Sequence, residues 1–221
     1  MMILLNLFLV LFMTIEGFTK ITDWEKFNSS LLIEVTRPNG VFTCTGVALS
    51  PTTIVTAAHC LDGEIKKVRV FTQSSYDAKN PSLEIKEFVV HPEYAPKKSA
   101  YRHDIAKITM KENLPSSVQI HSVFQATDVS GQLYRFGFGA RNKQNLRTVI
   151  TPKFRRINYQ EEVVELDDTF SRSGDSGGPI YLENGTDIKV IAIHSTFSHG
   201  PQGRYSYNPL LSAYLKWIFL N

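Results

Sequence analysis

Cysteine is scarce in this chain of 221 residues, with only Cys44 and Cys60 present. A small scaffold stapled by several disulfides is therefore excluded, and with six dispersed histidines the two cysteines show no zinc-ligand spacing. In an oxidising compartment they would pair; elsewhere they would be buried thiols. Excess charge is lacking too. The formal net charge is +3, and basic residues come as the pairs Lys66-Lys67, Lys97-Lys98 and Arg155-Arg156 rather than as a tract. A solvated surface is expected from this, and no nucleic-acid partner. Long hydrophobic runs are missing with one exception: Ile3 to Met13 is almost wholly apolar, though no Lys or Arg precedes it. It is too short for a membrane span and matches the apolar core of a secretory leader, the alternative being an uncleaved anchor. The expectation is a leader over residues 1–17, export to the extracellular space or a periplasm, and no stable membrane association.

What the chain does have is ordinary globular composition, 43% hydrophobic and 20% charged, enough to bury a sizeable core. Short apolar or alternating runs recur at Val41 to Leu49, Ile54 to Ala57, Val68 to Phe71, Ile85 to Val90, Ile105 to Met110 and Leu133 to Phe138. Pro, Gly, Ser and Asn divide them, which predicts strands. Thr148 to Ile150, Ile180 to Leu182 and Lys189 to His194 continue the series, the last two joined by the hairpin signal Glu183-Asn184-Gly185. Only the end differs: Leu211, Tyr214, Leu215 and Ile218 recur at spacings of three and four, predicting a terminal helix. Lys111 to Gln119, interrupted by Pro115-Ser116-Ser117, reads as a linker between two halves.

Chemistry concentrates in Ser173-Gly174-Asp175-Ser176-Gly177-Gly178-Pro179, where glycines clear side-chain bulk from around Ser176. A serine hydroxyl needs a base to take its proton and a third group to orient that base. Thr56-Ala57-Ala58-His59-Cys60 and His103-Asp104-Ile105-Ala106 supply both, each beside a predicted strand. Along the chain the order is His59, Asp104, Ser176, the chymotrypsin-type order rather than that of subtilisin or the α/β-hydrolases. With these three segments, and Gly137-Phe138-Gly139 similar to a Gly-Trp-Gly turn, the chain resembles the trypsin/chymotrypsin-like serine proteases from about Ile21 to its C-terminus.

That resemblance implies an all-β fold of two similar six-stranded β-barrels with the active site between them and a C-terminal α-helix. The protease domain would run over 21–221, with barrel one about 21–113, barrel two about 120–210, the helix about 211–220, and residues 18–20 a short propeptide. It implies a serine endopeptidase: Ser176 attacks the peptide carbonyl, His59 accepts its proton, Asp104 orients His59, and the N–H groups of Gly174 and Ser176 form the oxyanion hole. It also implies a Cys44–Cys60 disulfide beside His59, a bridge worth about 3 kcal/mol for a loop of this size. Protein or peptide substrates and protein inhibitors are the implied partners, acting on a monomer. No cofactor is implied, and no metal, because acidic residues do not cluster near Phe71 to Tyr76, where the family's calcium loop would lie.

Two features depart from the family pattern. Six residues before Ser176, where trypsin has the aspartate that receives Lys or Arg, stands Phe170. His194 and Ser195, with Ser171 and Ser173, fall instead at pocket positions similar to those of glutamate-specific members, so a preference for acidic P1 residues is the leading expectation. An apolar pocket built by Phe170 and Phe197 is the alternative. Activation departs as well. A cut after Lys20 would expose Ile21, whose amino group would pair with Asp175, but Ile21-Thr22-Asp23-Trp24 lacks the family's glycines. The competing functional class is an inactive or zymogen-locked homologue that serves as a binding module. Asn28-Ser29-Ser30 and Asn184-Gly185-Thr186 are acceptor patterns for N-glycosylation.

Overall fold

The structure is a computed structural model that describes residues 25–75, 77–99, 101–125, 128–141, 144–145, 147–168, 170–200 and 203–220. The expected leader, the short propeptide and Ile21 lie outside them. After a 3₁₀ turn at Glu25–Phe27, the first half is a single six-stranded antiparallel sheet. Its strands are β1 (Ser30–Arg37), β2 (Gly40–Ser50), β3 (Thr53–Thr56), β4 (Lys67–Phe71), β5 (Ile85–Val90) and β6 (Ala106–Met110), in the order β4-β1-β2-β3-β6-β5. Pro38 and Asn39 make the tight turn between β1 and β2, where Arg37 pairs with Gly40. A bridge from Val70 to Leu83 joins β4 to the chain leading into β5 and curls the sheet on itself. Leu31, Ile33 and Val35 point inward with period two, packing with Ile54, Ala106, Ile108 and both cysteines.

The second half holds β7 (Gln132–Gly137), a small hairpin of β8 (Ala140–Arg141) and β9 (Gln144–Asn145), then β10 (Thr148–Ile150), β11 (Lys153–Asn158) and β12 (Val163–Asp167). It continues with β13 (Pro179–Asn184), β14 (Asp187–Ile193), β15 (Thr196–Gly200), β16 (Gly203–Pro209) and the helix α2 (Leu211–Leu220). Two four-stranded sheets result, β10-β7-β13-β14 and β11-β12-β16-β15, bridged between Ala192 and Leu210. Pro152, which lacks an N–H, separates β10 from β11. The all-β expectation and the C-terminal helix are both met, and the hairpin turn falls at Gly185-Thr186, beside its predicted place.

One shared core fixes the two halves against each other. Phe27, Val47, Leu49, Val55 and Ile105 from the first half pack with Phe136, Tyr181, Val190, Ile193 and, from α2, Leu211, Tyr214 and Ile218. Burying a large apolar side chain contributes about 1.5–3 kcal/mol, so a cluster of this size holds the two halves in fixed register. Lys26 adds an ion pair to Glu183 at 2.6 Å. The two glycosylation patterns sit differently. The Asn28 amide donates to Ser117 O at 2.7 Å and its oxygen accepts from Arg147, whereas Asn184 is exposed.

Candidate active site

His59 lies on α1 (Ala58–Leu61), a single helical turn that interrupts the strand pattern and that composition did not reveal. Arg37 closes this turn: its guanidinium donates to the carbonyls of His59, Cys60 and Asp62 at 3.3, 3.0 and 2.6 Å. A disulfide between Cys44 and Cys60 ties the same turn to β2, as the resemblance implied. Asp104 comes from the segment entering β6 and is fully buried. Its Oδ1 accepts from the His59 backbone N–H and its Oδ2 pairs with His59 Nδ1, both at 2.8 Å. Because the carboxylate can only accept, Nδ1 carries the proton and Nε2 is left as the basic nitrogen.

Burial pushes the His59 pKa down, but the hydrogen bond and charge of Asp104 outweigh it, while Arg37 opposes them, and the result lies above the ordinary value of 6.5. A base works in its neutral form, so activity is lost as pH falls through this pKa. The acid limb of a kcat/KM profile should therefore have its midpoint above 6.5. Hydrolysis of a neutral peptide substrate measured across pH checks this, and a midpoint below the ordinary histidine value would contradict it.

Ser195, expected at the substrate pocket from its position, directs its hydroxyl to Asp104, donating to Oδ2 at 2.5 Å. Asp104 thus receives three donors, which fixes the carboxylate and through it the imidazole.

The Ser176 turn packs on the first half. Ser176 O accepts from Thr45 N–H at 2.8 Å, and Thr45 Oγ1 donates to Gly174 O at 2.8 Å. Gly177 is required by both conformation and space. Its φ is +80°, and a Cβ there would stand 2.1 Å from Thr56 Oγ1 and 2.2 Å from Thr45 O. Within the turn the N–H groups of Asp175, Gly177 and Gly178 donate to Arg172, His194 and Asp175 carbonyls. Among the described residues, those of Gly174 and Ser176 donate to no protein acceptor. Ser176 Oγ likewise makes no hydrogen bond to His59 among the described residues. Such contacts are often long without substrate and tighten in its complex.

At the expected pocket positions the structure brings His194 and Ser171 together, with Oγ and Nε2 3.1 Å apart and both residues buried. Asn208, which composition gave no reason to single out, fixes the tautomer. Its amide donates to Val164 O and Ser206 Oγ at 2.9 and 3.0 Å, so its oxygen faces His194 Nδ1 at 3.1 Å and accepts that proton. Nε2 then accepts from Ser171. Burial first, then the charge of Arg135, drives the His194 pKa down to about 4, against the pull of Asp168 and Asp175. Ser173 is exposed and makes no hydrogen bond to His194 among the described residues, while Phe170 is half-buried with its N–H on Asp168 Oδ1 at 3.2 Å.

Sequence reading also missed the charges beneath this site. Arg135, 1% exposed, stands 2.7 Å from Asp168 and 3.1 Å from Asp175. Its signal was present, an arginine at the inward parity of Leu133-Tyr134-Arg135-Phe136, since a buried cation demands a buried partner. No group of acidic, histidine or cysteine side chains that would hold a metal occurs among the described residues.

The family model described as Trypsin matches residues 25–218. The chain is 26% identical to CLIP domain-containing serine protease B4 of Anopheles gambiae, over 82% of this chain and 61% of that protein. It is 29% identical to vitamin K-dependent protein C of Mus musculus (79% of this chain, 45% of that protein) and 28% identical to trypsin of Phaedon cochleariae (69% and 67%). The chain spans less than two thirds of the length of the first two relatives. By fold, by motif order and by the span of the match, this chain belongs to the trypsin family.

Proposed function

We propose that this chain is a secreted serine endopeptidase in which Ser176 is the nucleophile, His59 the general base and then acid, and Asp104 the orienting carboxylate. The observation that carries the reading is a pairing. An imidazole held through Nδ1 by a triply donated carboxylate accompanies a turn whose Gly174 and Ser176 amides have no protein acceptor. Those two amides would meet the oxyanion that forms when Ser176 attacks, and removing one such donor typically costs about 2.7–4 kcal/mol of transition-state stabilisation. His59 Nε2 takes the serine proton and hands it to the leaving amine; water then cleaves the acyl-enzyme. Export, with residues 1–17 as leader, is part of the proposal. Among the described residues no helix is long and apolar enough to cross a membrane.

The finer proposal is a preference for acidic P1 residues, supported by the Ser171–His194 pair at the pocket position and by Phe170 in place of a carboxylate. In the resting state His194 is neutral and turns a lone pair toward Ser171. An acidic side chain would therefore be bound through the Ser171 hydroxyl together with a proton taken up by His194. The preference should strengthen as pH falls. A quenched-fluorescent peptide library read at two pH values tests both points: cleavage after Glu or Asp, with higher discrimination at the lower pH, is expected. Cleavage mainly after basic or aromatic residues would remove the acidic assignment while leaving the endopeptidase in place.

A further inference from the structure

The carboxylate next to the nucleophile already has a cation of its own. Asp175 is fully buried, and its Oδ2 lies 3.1 Å from Arg135 Nη1 while accepting the Arg172 N–H at 2.9 Å. Its Oδ1 accepts the Gly139 N–H at 2.8 Å. Arg135 is held from its other side by Asp168, whose Oδ2 is 2.7 Å from Nε and whose Oδ1 accepts from Nη2 at 3.2 Å. The Gly137-Phe138-Gly139 segment is shaped to admit this carboxylate. A Cβ on Gly137 would stand 2.3 Å from Asp175 Oδ1, and one on Gly139 2.5 Å from it. Every member of the cluster belongs to β7 and the turn that follows it, the chain after β12 or the Ser176 turn itself.

Asp175 lies between Gly174 and Ser176, the two residues whose amides would bind the oxyanion. Whatever fixes its carboxylate fixes the direction of those amides. A buried carboxylate needs a counter-charge, and a guanidinium carried on a strand supplies one as soon as that strand folds. We propose that Arg135 is a positioning residue that sets the oxyanion turn from within the second half of the molecule, so that acylation of Ser176 does not require a new amino group at Ile21. This rests on the serine endopeptidase reading. Asp168 holds the guanidinium from the other side, accepting from Nη2 and lying close to Nε, while Nη1 faces Asp175. Among the described residues, His194 is the other titratable group that faces Arg135, and its neutrality leaves the two aspartates as the charged partners of the cation.

The test uses the full chain and the rate at which a fluorophosphonate labels Ser176. Lys20→Ala blocks the cut before Ile21, and intact mass verifies the first residue. Its labelling rate is expected within about threefold of that of a form beginning at Ile21. Arg135→Gln is expected to label at least about a hundredfold more slowly, with partial recovery in Arg135→Lys. Should Arg135→Gln fail to fold, the wild-type pH profile carries the same information. A guanidinium stays charged to beyond about pH 12, so the rate should hold level from pH 8 to 10.5, whereas an α-amino group, ordinarily near pKa 8, would let it fall in that range. An uncleaved chain that stays unlabelled while the Ile21 form labels, or a tenfold alkaline loss of rate, overturns the inference alone. Absence of labelling in both forms overturns the protease reading and the inference with it.

Discussion

Ser176→Ala should lower kcat/KM on a peptide substrate by about a million-fold, the order of loss seen when the nucleophile of such a triad is removed. The size of the effect follows from the division of labour at the site. The base and its orienter have no other group to deprotonate, so their arrangement contributes almost nothing once the hydroxyl is gone. The substitution removes one oxygen from a half-buried side chain that makes no hydrogen bond of its own among the described residues, so the fold should be unaffected. A thermal unfolding curve superimposable on that of the native protein, together with the kinetic loss, is the expected pair of results. Residual hydrolysis above about one thousandth of native activity would place the nucleophile elsewhere.

Asp104→Asn should cost about ten-thousand-fold, the loss associated with this change in chymotrypsin-type triads. The reason is legible in the three bonds that Asp104 accepts, from His59 N–H, His59 Nδ1 and Ser195 Oγ. An amide has one accepting oxygen and one donating nitrogen. If the nitrogen faces Nδ1, the imidazole must shift its proton to Nε2 and can no longer accept from Ser176. The raised pKa of His59 should fall at the same time, because its hydrogen bond and charge from Asp104 are both weakened. The acid limb of the residual activity should then move to lower pH. A loss below about tenfold, with an unmoved limb, would show that Asp104 does not orient the base.

How much of this was readable beforehand divides along physical lines. The three motif segments lie in loops, at strand ends and on the single turn α1, where residue type is set by chemistry, and the structure brings His59 and Asp104 into the expected contact at 2.8 Å. Strands with one apolar face were read well, and α2 was found over its full length, Leu211–Leu220. β1 was missed because Ser30 through Val35 are buried on both faces, which erases the alternation that marks a strand. β11 was missed for the opposite reason, since Lys153, Phe154, Arg155 and Arg156 are all exposed. β16 hid behind polar residues: Ser206 and Asn208 point inward because they serve His194.

The pocket and the charge cluster were least legible, because each is a relation between distant residues. Ser195 was expected at the pocket, and its bond to Asp104, 91 positions away, is marked by no local motif. Arg135 meets Asp168 across 33 positions, and neither is marked by a local motif.

The most direct measurement of the central claim is the site of covalent modification. The protein is treated with a fluorophosphonate and digested, and the adduct is located by peptide mass. A single adduct on Ser176, absent when His59 is replaced by alanine, is the predicted result. A protein that remains unmodified, or an adduct on any other serine, would contradict the assignment of Ser176 as the nucleophile.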